Sequence, residues 1–266
     1  MKMLDLTNIS GYFGRKIINF NKEALDFKSY LVSILMSFKS LKYMKFRSIY
    51  TVIINQTTFT GLHALSFVVF IALIIGATVI IQAMTALPMF GVEGFLGNLM
   101  VVIVAREIGP LVTALIVITR SGSAITAEIA TQQQSGEIFS LEVLGIDTKL
   151  YIVFPRIMAS ILAIFSLIII FNSVAFAGGY LISQLFVYIP VDVYYQSLID
   201  ALSYEDLVAT IIKSLIYGIL IPIICCYYGF KPKSRFEVPI FVSRAVIRTF
   251  AVIFVINIIV SVLFYL

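Results

Sequence analysis

Residues 48–92, SIYTVIINQTTFTGLHALSFVVFIALIIGATVIIQAMTALPMFGV, contain no Asp, Glu, Lys or Arg. Roughly 20 consecutive apolar residues cross a bilayer, so this run decides the environment before any motif is read. Three more charge-free stretches follow, at 157–191, 214–230 and 249–266. Of the 266 residues, 61% are hydrophobic and only 12% charged, with a mean hydropathy of +1.05. Ordinary soluble domains carry about 25% charged residues. The composition excludes a soluble globular enzyme and predicts an all-α polytopic membrane protein.

The pattern predicts five transmembrane helices, at about 52–83, 97–119, 157–186, 207–228 and 246–266. Together they form one transmembrane domain over 51–266, with a cytoplasmic loop at 120–156. Orientation follows from charge. Nine basic residues precede residue 50, against the three acids Asp5, Glu23 and Asp26. The connections 84–96 and 187–206 carry no Lys or Arg, whereas 120–156 has Arg120, Lys149 and Arg156, and 229–248 has Lys231, Lys233, Arg235, Arg244 and Arg248. Lys and Arg mark cytoplasmic loops, so the N-terminus is expected inside and the C-terminus outside. No short apolar region with a small-residue cleavage site precedes the first span, which is therefore expected to do the targeting itself.

Residues 1–50 are too polar to span but are amphipathic. Ile9, Phe13, Ile17 and Phe20, then Phe27, Leu31, Ile34, Phe38 and Leu41, recur every three or four residues with Lys and Arg between them. That spacing places them on one helical face, which suits a helix lying in the inner interface against anionic headgroups.

Within the second predicted span stand Arg106 and Glu107, followed by Gly109 and Pro110. Counted from the start of that span at 1.5 Å per residue, the charged pair lies about 13 Å deep. Central charges cost at least about 3 kcal/mol each on insertion scales and normally face a protein interior or a wet cavity. Pro110 also lacks the N–H that would bond the carbonyl of Arg106, so an interrupted helix is expected beside the charges. Adjacent side chains point about 100° apart, so Arg106 and Glu107 are free to engage different neighbours. Such a site serves either as a gate or headgroup pocket, or as an ion pair that only fixes packing.

The loop 120–156 reads as helical, small-residue-rich over Ser121 to Thr131 and polar over Gln132 to Glu142, ending near Gly145. Glu137, Ser140, Leu141 and Leu144 share a face with Glu142 nearby, partly apolar and partly acidic. A helix of this kind, parallel to the membrane, can dock in the cleft of a separate motor. No G-x-x-x-x-G-K-[ST] phosphate loop occurs in the chain, so nucleotide energy must come from another subunit. The adjacent Cys225 and Cys226 read as helix filler, since sequence neighbours rarely meet disulfide geometry and two thiols are too few for a metal cage. His63 and Ser121 are not supported by any hydrolase motif, and no catalytic or metal-binding residue is assigned.

Several segments resemble the MlaE (YrbE) permease family. They are Arg106 to Leu115, Arg120 to Ile129, Leu141 to Asp147 with Tyr151, Pro155 and Arg156, and the later positions Asp206, Leu207, Lys213, Ser214, Gly218, Cys226, Gly229 and Phe230. Gln56, Gly61, Gly76 and Gln82 fit the family's first span. The chain departs from the pattern at 231–239, where the family is usually glycine-rich, and at Asn257, where an Asp is common. The resemblance implies a permease subunit of an ABC transporter in a bacterial inner membrane. Such a subunit works as a homodimer with a separate ATPase that binds ATP and Mg, an MCE-domain protein outside and, in some systems, a small cytoplasmic regulator. The cargo implied is phospholipid moved between the inner membrane and the outer envelope, with no cofactor on this chain and no nucleic acid. Arg106, Glu107, Gly109 and Pro110 become gate or cavity candidates, and Glu137, Leu141, Glu142, Leu144 and Gly145 coupling candidates. The competing readings are an ion-coupled secondary transporter or channel using the intramembrane charges, and a membrane-embedded lipid enzyme. Five spans without a visible repeat or paired broken helices speak against the first of these.

Overall fold

The computed structural model describes residues 22–37, 46–86, 96–186 and 190–265. Residues 1–21 and 38–45 of the amphipathic region, and the connection carrying Glu93, lie outside the described residues. The rest is helical: α1 (22–37), α2 (Phe46–Ala86), α3 (Leu96–Ser135), α4 (Glu137–Val143), α5 (Thr148–Phe186), α6 (Val191–Ala201), α7 (Tyr204–Gly229) and α8 (Val238–Tyr265), with a 3₁₀ turn at Arg235–Glu237. Five of them, α2, α3, α5, α7 and α8, are long and apolar enough to cross a membrane. Helices suit this medium because each bonds its own backbone polar groups.

Helix α3 stands in the middle, touching α2, α5, α7 and α8. Around it α2 packs along α5, α5 on α7, and α7 on α8. Small residues set the closest approaches, as expected where no hydrophobic force drives helices together. A Cβ on Gly76 would collide with the carbonyl of Ala175, and one on Gly218 would come within 2.5 Å of Ile161 Cα. The core between them holds Ile164, Leu167, Ile168 and Phe171 of α5 with Met100, Val104 and Ile118 of α3.

Several elements outrun their predicted ends. The second span does not stop at 119 but continues to Ser135, because nothing in the small-residue run breaks it before Gly136, which adopts φ 79°. The amphipathic helix expected over Gln132 to Glu142 is thus split, its first residues ending α3 and the remainder forming α4. Helix α5 begins at Thr148 rather than 157, since the Asp147 carboxylate accepts from Lys149 N and Leu150 N, at 3.1 and 3.2 Å, and caps it. Helix α7 opens on a reciprocal capping box between Ser203 and Asp206.

The interruption anticipated at Pro110 takes a specific form. Residues Val101–Ile108 make wide π-type turns, and Gly109 N–H donates to Val104 O, five residues back. A second wide stretch covers Ile118–Gly122. Such insertions are frequent at functional sites.

Candidate functional site

The π turns of α3 hold Arg106 and Glu107 against α7 and α8. Arg106 Nε lies 2.8 Å from Asp206 Oδ1, and its Nη2 donates to Oδ2 at 3.2 Å, a two-pronged contact with a carboxylate only 4% exposed. The guanidinium also lies 4.5 Å from the Tyr265 ring centroid at the end of α8. Glu107 points to the other neighbours: Lys213 Nζ is 3.6 Å from its Oε1, and Asn257 Nδ2 donates to Oε2 at 2.7 Å. Tyr217 OH donates to Asn257 Oδ1 at 2.7 Å, which fixes the amide orientation.

Lys213 joins the two halves. Its ammonium is buried and donates to Ser261 Oγ at 2.9 Å and to the carbonyl of Arg106 at 2.6 Å. In a regular α-helix that carbonyl would accept from residue 110, and Pro110 has no N–H to give. The lysine supplies it with a bond from another helix. The network holds two cations and two carboxylates and is neutral as a unit. An Asp at 257, common in the resembling family, would add a third carboxylate against Glu107, whereas Asn257 donates to it.

Asp206 sits in the first turn of α7 and Tyr265 at the end of α8, so the Arg106 guanidinium reaches those ends, while its carbonyl and Glu107 engage Lys213 and Asn257 farther inside the two helices. The first turns of α3 rise beyond the start of α7 to pack on α6, where Gly97 meets the Ser197 backbone. From there the network runs inward through Lys213, Asn257 and Tyr217. Tyr194 anchors α6 in turn, donating to Phe176 O at 3.0 Å. Burial, with Tyr195 alongside, holds its phenol above the ordinary range, so it stays a donor.

Gly109 and Pro110 are both buried. No side chain fits at 109, because a Cβ would overlap Asn172 Oδ1 and come within 2.9 Å of Val104 O. Next to this site a cavity of about 430 Å³ opens between α2 and α3, lined by Ile75, Val79, Leu99, Ile103, Thr78 and Gln82 among others. Its size falls in the range of small-ligand sites, and its walls are mostly apolar.

At the far end of α3 the coupling candidates separate. Glu137, Glu142, Leu144 and Gly145 are exposed on or after α4, while Leu141 turns partly inward beside the buried Ile138. Gly145 ends the segment with φ 75°. Phe139 and Val143, not singled out from the sequence, are 69% and 70% exposed, and Leu144 is 74%. The face offered to a partner is thus more apolar than expected. Beneath it Arg156, nearly buried, pairs with Glu128 at 2.9 Å and donates to Ile152 O. Cys225 and Cys226 are buried free thiols, and His63 is exposed beside Phe59 while Ser121 is buried.

Comparison with known proteins supplies the context for this geometry. The family model described as permease MlaE matches residues 53–263, which takes in most of all five spans. A Rickettsia felis protein named a probable ABC transporter permease is 29% identical over 262 residues, 98% of this chain and 99% of its own length. A similarly named Rickettsia prowazekii protein is 31% identical, covering 81% of this chain and 83% of its own. The Haemophilus influenzae intermembrane phospholipid transport system permease protein MlaE is 26% identical over 76% of this chain and 77% of its own.

Proposed function

Because the chain belongs to the MlaE permease family, and is an ABC transporter permease subunit working with a separate ATPase rather than an enzyme, we propose that two copies of it move phospholipid between a bacterial inner membrane and the outer envelope. The observation that carries this reading is the family match across the spans, and the H. influenzae relative is named for intermembrane phospholipid transport. ATP and Mg belong on the ATPase. An MCE-domain protein outside completes the assembly, joined in some systems of this kind by a small regulator inside, and the Lys- and Arg-rich ends of the spans face the cytoplasm.

The site geometry supports a cavity shared between two copies. Glu107 keeps 39% of its side chain exposed within an apolar span, and a carboxylate facing acyl chains is strongly disfavoured. A second copy, or a wet cavity between copies, covers that face. The apolar walls between α2 and α3 suit acyl chains, and the polar Thr78 and Gln82 suit a headgroup. Helix α8, the least buried span, completes the lining. The network then holds α3, α7 and α8 as one body that the motor moves. The paired state of all four charges does not favour ion coupling through them.

The motor engages the exposed face of α4. Affinity purification of the tagged chain in mild detergent, with mass spectrometry of proteins and lipids, is expected to recover an ATPase, an MCE protein and enriched phospholipid. Charge reversal at Glu137 and Glu142 should weaken ATPase recovery, and Phe139→Asp with Leu144→Asp should abolish it. Full recovery with both pairs of changes would remove α4 from the coupling role, and a chain that crosslinks to no ATPase would contradict the permease reading.

A further inference from the structure

Helix α1 lies across the ends of α7 and α8 remote from the charge network and closes a second cavity of about 230 Å³. Aromatic contacts seat it: Phe27 stands edge-on to Tyr227 at 5.0 Å, and Tyr30 packs on Tyr227 at 5.3 Å. Tyr227 OH donates to Glu23 O, and Tyr228 OH to Glu23 Oε1 at 2.8 Å. Arg248 Nη2 faces Glu23 Oε2 at 3.6 Å. Lys231 Nζ lies 4.2 Å over the Tyr227 ring.

The lining is graded with depth. Glu23, Tyr228 and Arg248 form the polar end, while Ile224 and Val252 stand one turn farther into the spans, about 6 Å deeper. We propose that this cavity binds one inner-leaflet phospholipid whose headgroup carries both a phosphate and an ammonium. Arg248 receives the phosphate, Glu23, steadied by the Tyr228 hydroxyl, receives the ammonium, and the first part of an acyl chain lies against Phe27, Ile224 and Val252.

Charge complementarity selects this occupant. The Glu23 and Arg248 side chains are 32% and 49% exposed and loosely apposed, and such pairs contribute little by themselves. A zwitterion placed beside them gives each an opposite charge. A purely anionic headgroup satisfies Arg248 but sets its own charge against Glu23. The volume is below that of a whole-ligand site, so the headgroup and upper chain are held while the remainder stays in the bilayer. This site is separate from the cavity between α2 and α3. It rests on the cytoplasmic placement of this end, not on phospholipid being the cargo.

The test is native mass spectrometry of the full chain titrated with phosphatidylethanolamine or phosphatidylglycerol of identical acyl chains. Phosphatidylethanolamine is expected to be retained at one per chain and about tenfold more tightly. Glu23→Gln should abolish that preference without weakening phosphatidylglycerol. Val252→Trp, which fills the apolar end and alters no charge, should release one lipid per chain while the protein elutes at its usual size. Equal retention of the two lipids, or a preference that survives Glu23→Gln, overturns the proposal. Should Val252→Trp not assemble, the Glu23→Gln comparison decides alone. Loss of ATP-driven lipid transport with the preference intact would count against the cargo reading only.

Discussion

Asp206→Ala is expected to destabilise the permease by about 3–5 kcal/mol, the range for removing one partner of a buried ion pair. The carboxylate is 4% exposed and is the charge partner of Arg106. It also accepts from Ser203 N at 2.9 Å and Ser203 Oγ at 3.0 Å, so the substitution uncaps α7 as well. Loss of such a cap accounts for about 1 kcal/mol. Asp206→Asn keeps an acceptor for the cap and should fall between Asp206→Ala and the native chain. The informative variant is the double change Arg106→Met with Asp206→Leu. Replacing a buried pair by apolar residues is often neutral for stability, so this protein should regain most of its thermal stability in detergent. If the pair also transmits motion between α3 and α7, the double variant assembles normally but transports poorly. Native transport by that variant would reduce the pair to a packing device.

Lys213→Met carries the second large effect. It removes the donor to the Arg106 carbonyl, the donor to Ser261 and the cation facing Glu107. The Arg106 carbonyl loses this bond beside Pro110, which has no N–H to offer in its place. Lipid-stimulated ATPase activity of the assembled complex should fall at least about tenfold, equivalent to about 1.4 kcal/mol in the barrier. Lys213→Arg should not rescue, since a planar guanidinium does not fit a buried slot shaped for a compact ammonium. Lys213→Met combined with Glu107→Gln restores neutrality and should recover stability in part, though not activity. A Lys213→Met protein with native melting and native stimulation would refute the role of Lys213 in joining α3 to α7 and α8.

The same residues show how far the sequence carries the structure. Four of the five spans follow from charge-free runs alone, and the isolation of Arg106, Glu107 and Pro110 in the apolar stretch between the first two of those runs marks both the remaining span and the site. Their partners lie 100 to 150 residues away in the chain, a distance that periodicity on one helix does not bridge. A signal was nevertheless present. Asp206, Lys213 and Tyr217 share a face of α7 by spacings of seven and four, and Asn257, Ser261 and Tyr265 recur every fourth residue in the otherwise apolar stretch 250–265 of α8. Polar stripes on apolar spans face protein rather than lipid, so the two stripes could have been matched to Arg106 and Glu107. That the Arg106 guanidinium reaches the first turn of α7 was less legible, because counting residues along α3 presumes that neighbouring helices begin at one level, and the start of α3 packs on α6 instead. On α4, the inward turn of Leu141 and the exposure of Phe139 depend on how Gly136 aims a helix of only two turns, which spacing does not encode.

The account turns on ATP-driven phospholipid movement through this subunit. Its most direct test is transfer of a labelled phospholipid out of proteoliposomes holding the assembled complex. Transfer should require ATP and the partner ATPase, and should be lost on Lys213→Met while the complex stays assembled. Transfer that proceeds without the ATPase and follows an imposed ion gradient would contradict it.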